Sequence, residues 1–198
     1  IAENGYCTFG SLAAYHKIHT GCIAAWARVL EAVPNSRLIL RNANIDENLS
    51  GFLRQEFEKY GVDSARLELM GPADHADFLR TYDLIDIALD SFPWNGGTTT
   101  VEALWQGVPV VCFHGDRWAS RAGATLVTAI GYPEWAGRDL DEYVRIAANL
   151  AGDAGRLQQI RTGLRDEMGA SMLCDTAGFT EKLEAAFEEM ARAKGVIE

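Results

Sequence analysis

Basic residues are in short supply: 18 lysines and arginines face 28 aspartates and glutamates, a formal net charge of −10. A surface that tracks nucleic acid needs clustered cations, so a nucleic-acid polymer is excluded as the main partner. Half of the acidic excess falls in residues 139–198 and reads as solvated helix faces. No apolar run approaches the ~20 residues of a membrane span. No signal peptide opens the chain, and no membrane partner is expected. Cys7, Cys22, Cys112 and Cys174 are scattered, without a CxxC pair. Such usage predicts free, structural thiols in a reducing, cytoplasmic setting. Repeats, low-complexity tracts and metal-ligand clusters are also missing. His16, His19 and Cys22 approach a cluster, but on a helix they spread over about 120° of arc. No metal and no cofactor is therefore expected.

What is present suffices for one large domain. Apolar residues make up 48% of the 198 and charged residues 23%, enough for a real core. Short apolar runs alternate with amphipathic segments. Strands are predicted at 6–9, 37–40, 66–70, 85–89 and 108–113. Helices are predicted at 21–32 (capped by Thr20), 49–60, 74–82, 99–106, 118–130, 139–151, 154–169 and 176–194. Strands separated by helical segments give βαβ units and a right-handed parallel sheet. The expected fold is α/β, a Rossmann-like parallel sheet sandwiched by helices, with a helical C-terminal extension. Ligands in such sheets bind beyond the carboxyl ends of the strands.

The most loaded loop there is Asp90-Ser-Phe-Pro-Trp-Asn-Gly-Gly-Thr-Thr-Thr-Val-Glu102. Its glycines allow a tight turn and close backbone approach. Thr98, Thr99 and Thr100 then open a helix whose first amides have no internal partner. Free amides, hydroxyls and the positive end of the dipole make an anion site. Glu102, one turn inside, is placed to accept from sugar hydroxyls, so a diphosphate on the threonines with a ribose on Glu102 is coherent. A second reading stands beside it: Thr99-Thr-Val-Glu102 is also a capping box. Asp83, Asp86 and Asp90 read as caps of neighbouring elements, and His114 as a loop histidine on the ligand side.

Asn95-Gly-Gly-Thr-Thr-Thr-Val-Glu-Ala-Leu-Trp-Gln-Gly-Val-Pro-Val-Val, followed by His114-Gly-Asp-Arg-Trp-Ala-Ser-Arg121, resembles the protein O-GlcNAc transferases and their bacterial relatives. Phe9-Gly-Ser, Lys17-Ile, Trp26-Ala-Arg-Val-Leu-Glu-Ala-Val-Pro-Asn-Ser-Arg-Leu and Leu84-Ile-Asp-Ile-Ala-Leu-Asp90 carry the same resemblance. So do Asp141-Glu-Tyr-Val and Leu164-Arg165 in the terminal helices. That family comprises inverting GT-B glycosyltransferases, often joined to tetratricopeptide repeats.

The resemblance implies that Lys17 is the catalytic candidate, neutralising a nucleotide diphosphate. It implies that Gly97, Thr98 and Thr99 hold the phosphates and that Glu102 holds the ribose, where many members carry aspartate. The uracil loop maps to Ala73, His75 and Phe78, with Phe78 standing where some members have a stacking histidine. Ala13-Ala14 replace asparagines common in the first loop. Arg121 is a further candidate for phosphate contact. All 198 residues are expected to form a single nucleotide-sugar-binding lobe of a longer protein, which opens on Ile1 rather than Met and lacks the N-terminal catalytic lobe. The implied activity is transfer of a sugar from a UDP-sugar donor (UDP-GlcNAc-like) to Ser/Thr hydroxyls of a protein acceptor, bound through the missing regions. UDP-glucose or GDP-fucose donors, a non-catalytic GT-B-like scaffold and a nucleotide-sugar epimerase are the alternatives.

Overall fold

The computed structural model describes residues 5–196. Six strands form one sheet: β1 (Cys7–Ser11), β2 (Ser36–Arg41), β3 (Leu67–Met70), β4 (Ile87–Leu89), β5 (Val110–Phe113) and β6 (Ala136–Gly137). Their spatial order is β3-β2-β1-β4-β5-β6, and every pairing is parallel. Phe9 in β1 sits opposite both Leu38 in β2 and Ile87 in β4. The order reverses between β1 and β4. That switch point opens a crevice beyond the carboxyl ends of these two strands.

Among the described residues eight α-helices connect and flank the strands: α1 (Thr20–Ala32), α2 (Glu47–Glu58), α3 (His75–Arg80), α4 (Thr98–Trp105), α5 (Ala122–Ala129), α6 (Leu140–Ala151), α7 (Ala154–Gly169) and α8 (Thr176–Ala193). All five residues of β1 are buried, as a parallel strand covered on both faces must be. Helix α1 turns Ile23, Trp26, Ala27 and Leu30 into the core and packs against α2 and α6, while α4 packs against α5 and α7. Cys7, Cys22 and Cys112 are buried and free, behaving as small hydrophobes. Cys174 is exposed, so the expectation that all four thiols are structural fails there.

Other differences from the sequence expectation have local causes. Thr20 is the first residue of α1 rather than its cap. The cap is His19, whose Nδ1 accepts from the Gly21 amide at 2.9 Å. The expected helix over 118–130 divides into a 3-10 turn, Trp118–Ser120, and α5. Ser120 Oγ makes the break by accepting from the Arg117 amide and donating to its carbonyl. Helix α3 stops at Arg80 and continues as a 3-10 turn, Thr81–Leu84, where Thr81 Oγ1 donates back to the Asp77 carbonyl. The sixth strand, β6, was not foreseen. No helix among the described residues is long and apolar enough to cross a membrane.

Candidate functional site at the switch point

Helix α4 starts without a side-chain cap. The residue before it is Gly97, two positions ahead of Thr99, so Thr99 and Glu102 fall out of frame for a capping box. That alternative is thereby removed: α4 presents its first turn uncapped, with the positive end of its dipole exposed. A Cβ on Gly97 would meet nothing within 4 Å, so the approach to these amides is open. Thr98 is exposed, Thr99 half-buried and Thr100 buried. Ser11, Ala13, Asp90, Thr99 and Thr100 are among the residues lining the crevice at the ends of β1 and β4.

Lys17 ends a 3-10 turn, Tyr15–Lys17, after β1. Its Nζ donates to the Asn95 carbonyl at 2.9 Å and lies 4.9 Å from the centre of the Trp94 ring. The structure therefore joins the lysine of the first loop to the Gly/Thr loop. Cys22 reinforces the junction. Its Sγ donates to the Phe92 carbonyl at 3.1 Å and accepts from the Phe92 amide at 3.4 Å.

Asn95 is the hub of the loop, a role that the sequence does not reveal. It is buried. Its Nδ2 donates to the Ser91 carbonyl at 2.9 Å, its Oδ1 accepts from the Gly123 amide at 3.3 Å and its amide donates to the Ala119 carbonyl at 2.9 Å. Asp90 is the second residue the sequence did not reveal. It caps no helix. Its carboxylate Oδ1 accepts from the Ser91 amide at 2.8 Å and the Gly96 amide at 2.6 Å, folding the loop over itself. Asp86 does serve a neighbouring element, its Oδ2 accepting from the Thr8 amide of β1 at 2.8 Å.

On the other flank, Tyr82 ties the expected base loop to α4. Its hydroxyl donates to the Thr99 carbonyl at 2.8 Å, and its ring meets Phe78 edge-on at 6.5 Å. Partial burial raises the Glu102 carboxyl above its usual range, while the charge of His75 pulls the other way. Ala73 and His75 are exposed, and Phe78 is half-buried.

Arg121 is not drawn into this cluster. Its guanidinium donates to the carbonyls of Gly115 and Asp116 at 3.1 and 3.0 Å, and it lines a separate cavity with Thr125 and Met172. A larger cavity of about 660 Å³ lies at the β6 edge, lined by His114, Arg138, Glu142 and Arg145 among others. There Arg145 is paired with Glu142 at 3.0 Å, and the His114 amide donates to the Gly137 carbonyl at 2.7 Å. The uncapped helix start and Lys17 meet at the switch point instead. Among the described residues no group of three or more His, Cys, Asp or Glu could hold a metal ion. His16 packs against Trp94, whereas His19 and Cys22 both meet Phe92.

A doubly wound parallel sheet with an uncapped helix and a lysine at its switch point has the architecture of one lobe of a GT-B fold. The comparisons agree, because the model of Glycosyl transferase family 41 matches residues 4–183, and the chain belongs to that family. A probable UDP-N-acetylglucosamine–peptide N-acetylglucosaminyltransferase SPINDLY of Hordeum vulgare is 39% identical over 194 residues, covering 95% of this chain and 20% of that protein. A UDP-N-acetylglucosamine–peptide N-acetylglucosaminyltransferase of Caenorhabditis elegans is 30% identical, covering 93% of this chain and 16% of that one. Among solved structures, a mutant O-GlcNAc transferase of Thermobaculum terrenum superposes with a TM-score of 0.90 at 38% identity, covering 96% of this chain and 37% of that one. The chain thus spans about a fifth of the length of its plant relative.

Proposed function

We propose that these 198 residues form the donor-binding lobe of an inverting glycosyltransferase that moves a sugar from a UDP-sugar, UDP-GlcNAc in the first instance, to Ser/Thr hydroxyls of proteins. One observation carries the reading: Lys17 Nζ, 2.9 Å from the Asn95 carbonyl, is fastened to the loop that leads into the uncapped start of α4. A diphosphate seated there meets a point charge on one side and helix amides with a positive dipole on the other. As the sugar departs, the leaving UDP gains negative charge. Contacts from Lys17, Thr98 and Thr99 then strengthen toward the transition state, which is what accelerates the step.

Glu102 takes the ribose hydroxyls, and the exposed stretch from Ala73 through His75, with Phe78, takes the base. Arg121 serves the loop at Gly115 and Asp116. The reading assigns charge neutralisation to these groups and includes no metal and no cofactor. The acceptor protein and the general base belong to parts of the enzyme outside this chain. The plant and nematode relatives, named as UDP-N-acetylglucosamine–peptide N-acetylglucosaminyltransferases, support the donor and the peptide acceptor. Free thiols buried in the core support a cytoplasmic setting.

The test is a thermal-shift series on this chain with UDP, UDP-GlcNAc, UDP-glucose and GDP-fucose. At a hundredfold excess over Kd a bound ligand adds about 2.7 kcal/mol to stability, so a rise in midpoint with the uridine nucleotides is expected. A larger rise with GDP-fucose would reassign the donor. No rise with any nucleotide at millimolar concentration would defeat the reading. Without the rest of the enzyme, no sugar transfer is expected.

A further inference from the structure

Asp90 closes β4 and is buried beneath the Gly/Thr loop. Only half of its carboxylate is satisfied: Oδ1 takes the amides of Ser91 and Gly96, whereas Oδ2 is buried without a hydrogen-bond partner. Two glycines make room for it. A Cβ on Gly123 would stand 2.5 Å from Asp90 Oδ2, and one on Gly96 would stand 3.0 Å from Oδ1 and 2.3 Å from Thr100 Oγ1. Asp90, Thr99 and Thr100 are residues of the same crevice.

The groups facing Asp90 come from five elements. Lys17, from the turn after β1, is the cation whose charge favours the ionised form. Cys22 of α1, Tyr82 before β4, Cys112 of β5 and Tyr143 of α6 also feel its charge, and burial holds all four in their neutral forms. Burial pushes the Asp90 carboxyl up to about 7, with the two amides and Lys17 pulling it back. An anion at the start of α4 would bring like charge toward a carboxylate in a medium of low dielectric, and would draw Lys17 to itself.

We propose that Asp90 takes up a proton from solvent when a diphosphate-bearing nucleotide sugar binds, so that the donor site closes around a neutral acid. This rests on the donor reading above and deepens it. The proton goes to the unpartnered Oδ2. Oδ1 keeps its two amides, so the loop retains its shape, and the proton is released when the nucleotide leaves. Asp90 is a positioning residue that touches no phosphate. Because binding consumes a proton, affinity falls as pH rises through neutrality.

The experiment is calorimetric titration of the chain with UDP-GlcNAc between pH 6 and 8.5, in buffers of differing ionisation enthalpy. A nucleotide sugar is the right probe because its diphosphate is esterified at both ends and does not titrate there. The wild type should take up a substantial fraction of one proton near pH 7 to 8. Asp90→Asn should take up that fraction less and bind more tightly than wild type at pH 8.5, about tenfold for each unit by which the ligand displaces the Asp90 titration. His16, His19 and His75 remain in both proteins, so the difference isolates Asp90. A purely structural role would leave the Asn variant equal or weaker at every pH, and that outcome overturns the proposal. Carbon-13 NMR of the Asp90 carboxyl in the wild type, free and saturated with UDP-GlcNAc, covers the case in which the variant does not fold. A midpoint in the ordinary carboxylate range, or one that the ligand leaves in place, also overturns it. Binding without Asp90-dependent uptake removes this inference and spares the donor reading, whereas no binding at any pH removes both.

Discussion

Lys17 and Asn95 stand 78 positions apart, and the ammonium of the first donates to the backbone carbonyl of the second at 2.9 Å. The loop after β1 and the loop after β4 are thereby fastened across the switch point of the sheet. Among the described residues the lysine is paired with no carboxylate, so its charge is available to an incoming anion while the carbonyl fixes its direction. Asn95 can act as the anchor because its side chain is itself tied to the Ser91 carbonyl and the Gly123 amide.

Replacing this lysine should therefore separate binding from folding. Lys17→Ala removes a charge-assisted contact of about 1.5–3 kcal/mol, so UDP affinity should fall roughly 10- to 100-fold. The chain itself should lose little stability, because Lys17 is only partly buried and the carbonyl it leaves can take water. Paired calorimetry and thermal melts of the two proteins check this. Undiminished UDP binding by the variant would remove Lys17 from the site.

Glu102 offers a test that divides the ligand. Placed one turn into α4, with its carboxyl raised by partial burial, it is assigned to the ribose rather than to the phosphates. Glu102→Ala should weaken UDP by roughly tenfold, the worth of a charge-assisted hydrogen bond, and should leave inorganic pyrophosphate bound as before or slightly better. Competition of both ligands against a fluorescent nucleotide measures the two effects together. Equal losses for UDP and pyrophosphate would place Glu102 at the phosphates.

Much of the fold was legible because apolar runs and their punctuation coincide with elements: Val108–Phe113 contains β5, and Gly107 stops α4. Strand β6 escaped because two residues carry no periodicity, and its register with Cys112 and Phe113 is a tertiary fact. The Gly/Thr loop stood out from its residues as a candidate anion site. Lys17 was not, since a lone lysine after a strand is unremarkable, and it entered through resemblance to a family. Asp90 stayed hidden for a physical reason. Its role depends on Gly96 and on Gly123, which lies 33 positions further on and packs against it only in three dimensions. The capping-box pattern misled because a local motif does not say where a helix begins.

Gly107 joins backbone conformation to tertiary contact. Its φ of +77° is the left-handed region, and a Cβ there would stand 2.5 Å from the Arg161 carbonyl oxygen. Arg161 in turn holds the carbonyls of Tyr82 and Asp83, next to the tyrosine that reaches Thr99. Gly107→Ala combines a strained φ, about 1–2 kcal/mol, with overpacking of about 1–3 kcal/mol. The expected result is a fall in melting temperature of several degrees, and a measurable loss of UDP affinity as α4 shifts. A melting temperature within one degree of wild type would show that α4 and α7 are less tightly docked than their contacts imply.

The buried carboxylate also sets how stability depends on pH. An aspartate titrating near 3.9 in the unfolded chain and at about 7 in the folded protein is a group whose ionised form the fold disfavours. The folded state then binds more protons than the unfolded state between these values, so stability falls as pH rises across that window. Below about pH 4 both states are protonated and the group is neutral in its effect. Above about pH 7 the full penalty is present, at most about 4 kcal/mol at 1.36 kcal/mol per unit. The net charge of −10 acts in the same direction through repulsion, so wild type alone cannot isolate Asp90. Asp90→Asn can, because it keeps an acceptor for the Gly96 amide and removes the titration. Urea unfolding of both proteins at pH 5 and pH 8 should show the variant gaining on wild type by a few kcal/mol at the higher pH. A difference between the two proteins that stays constant with pH would mean that Asp90 is already ionised, or already compensated, throughout the range.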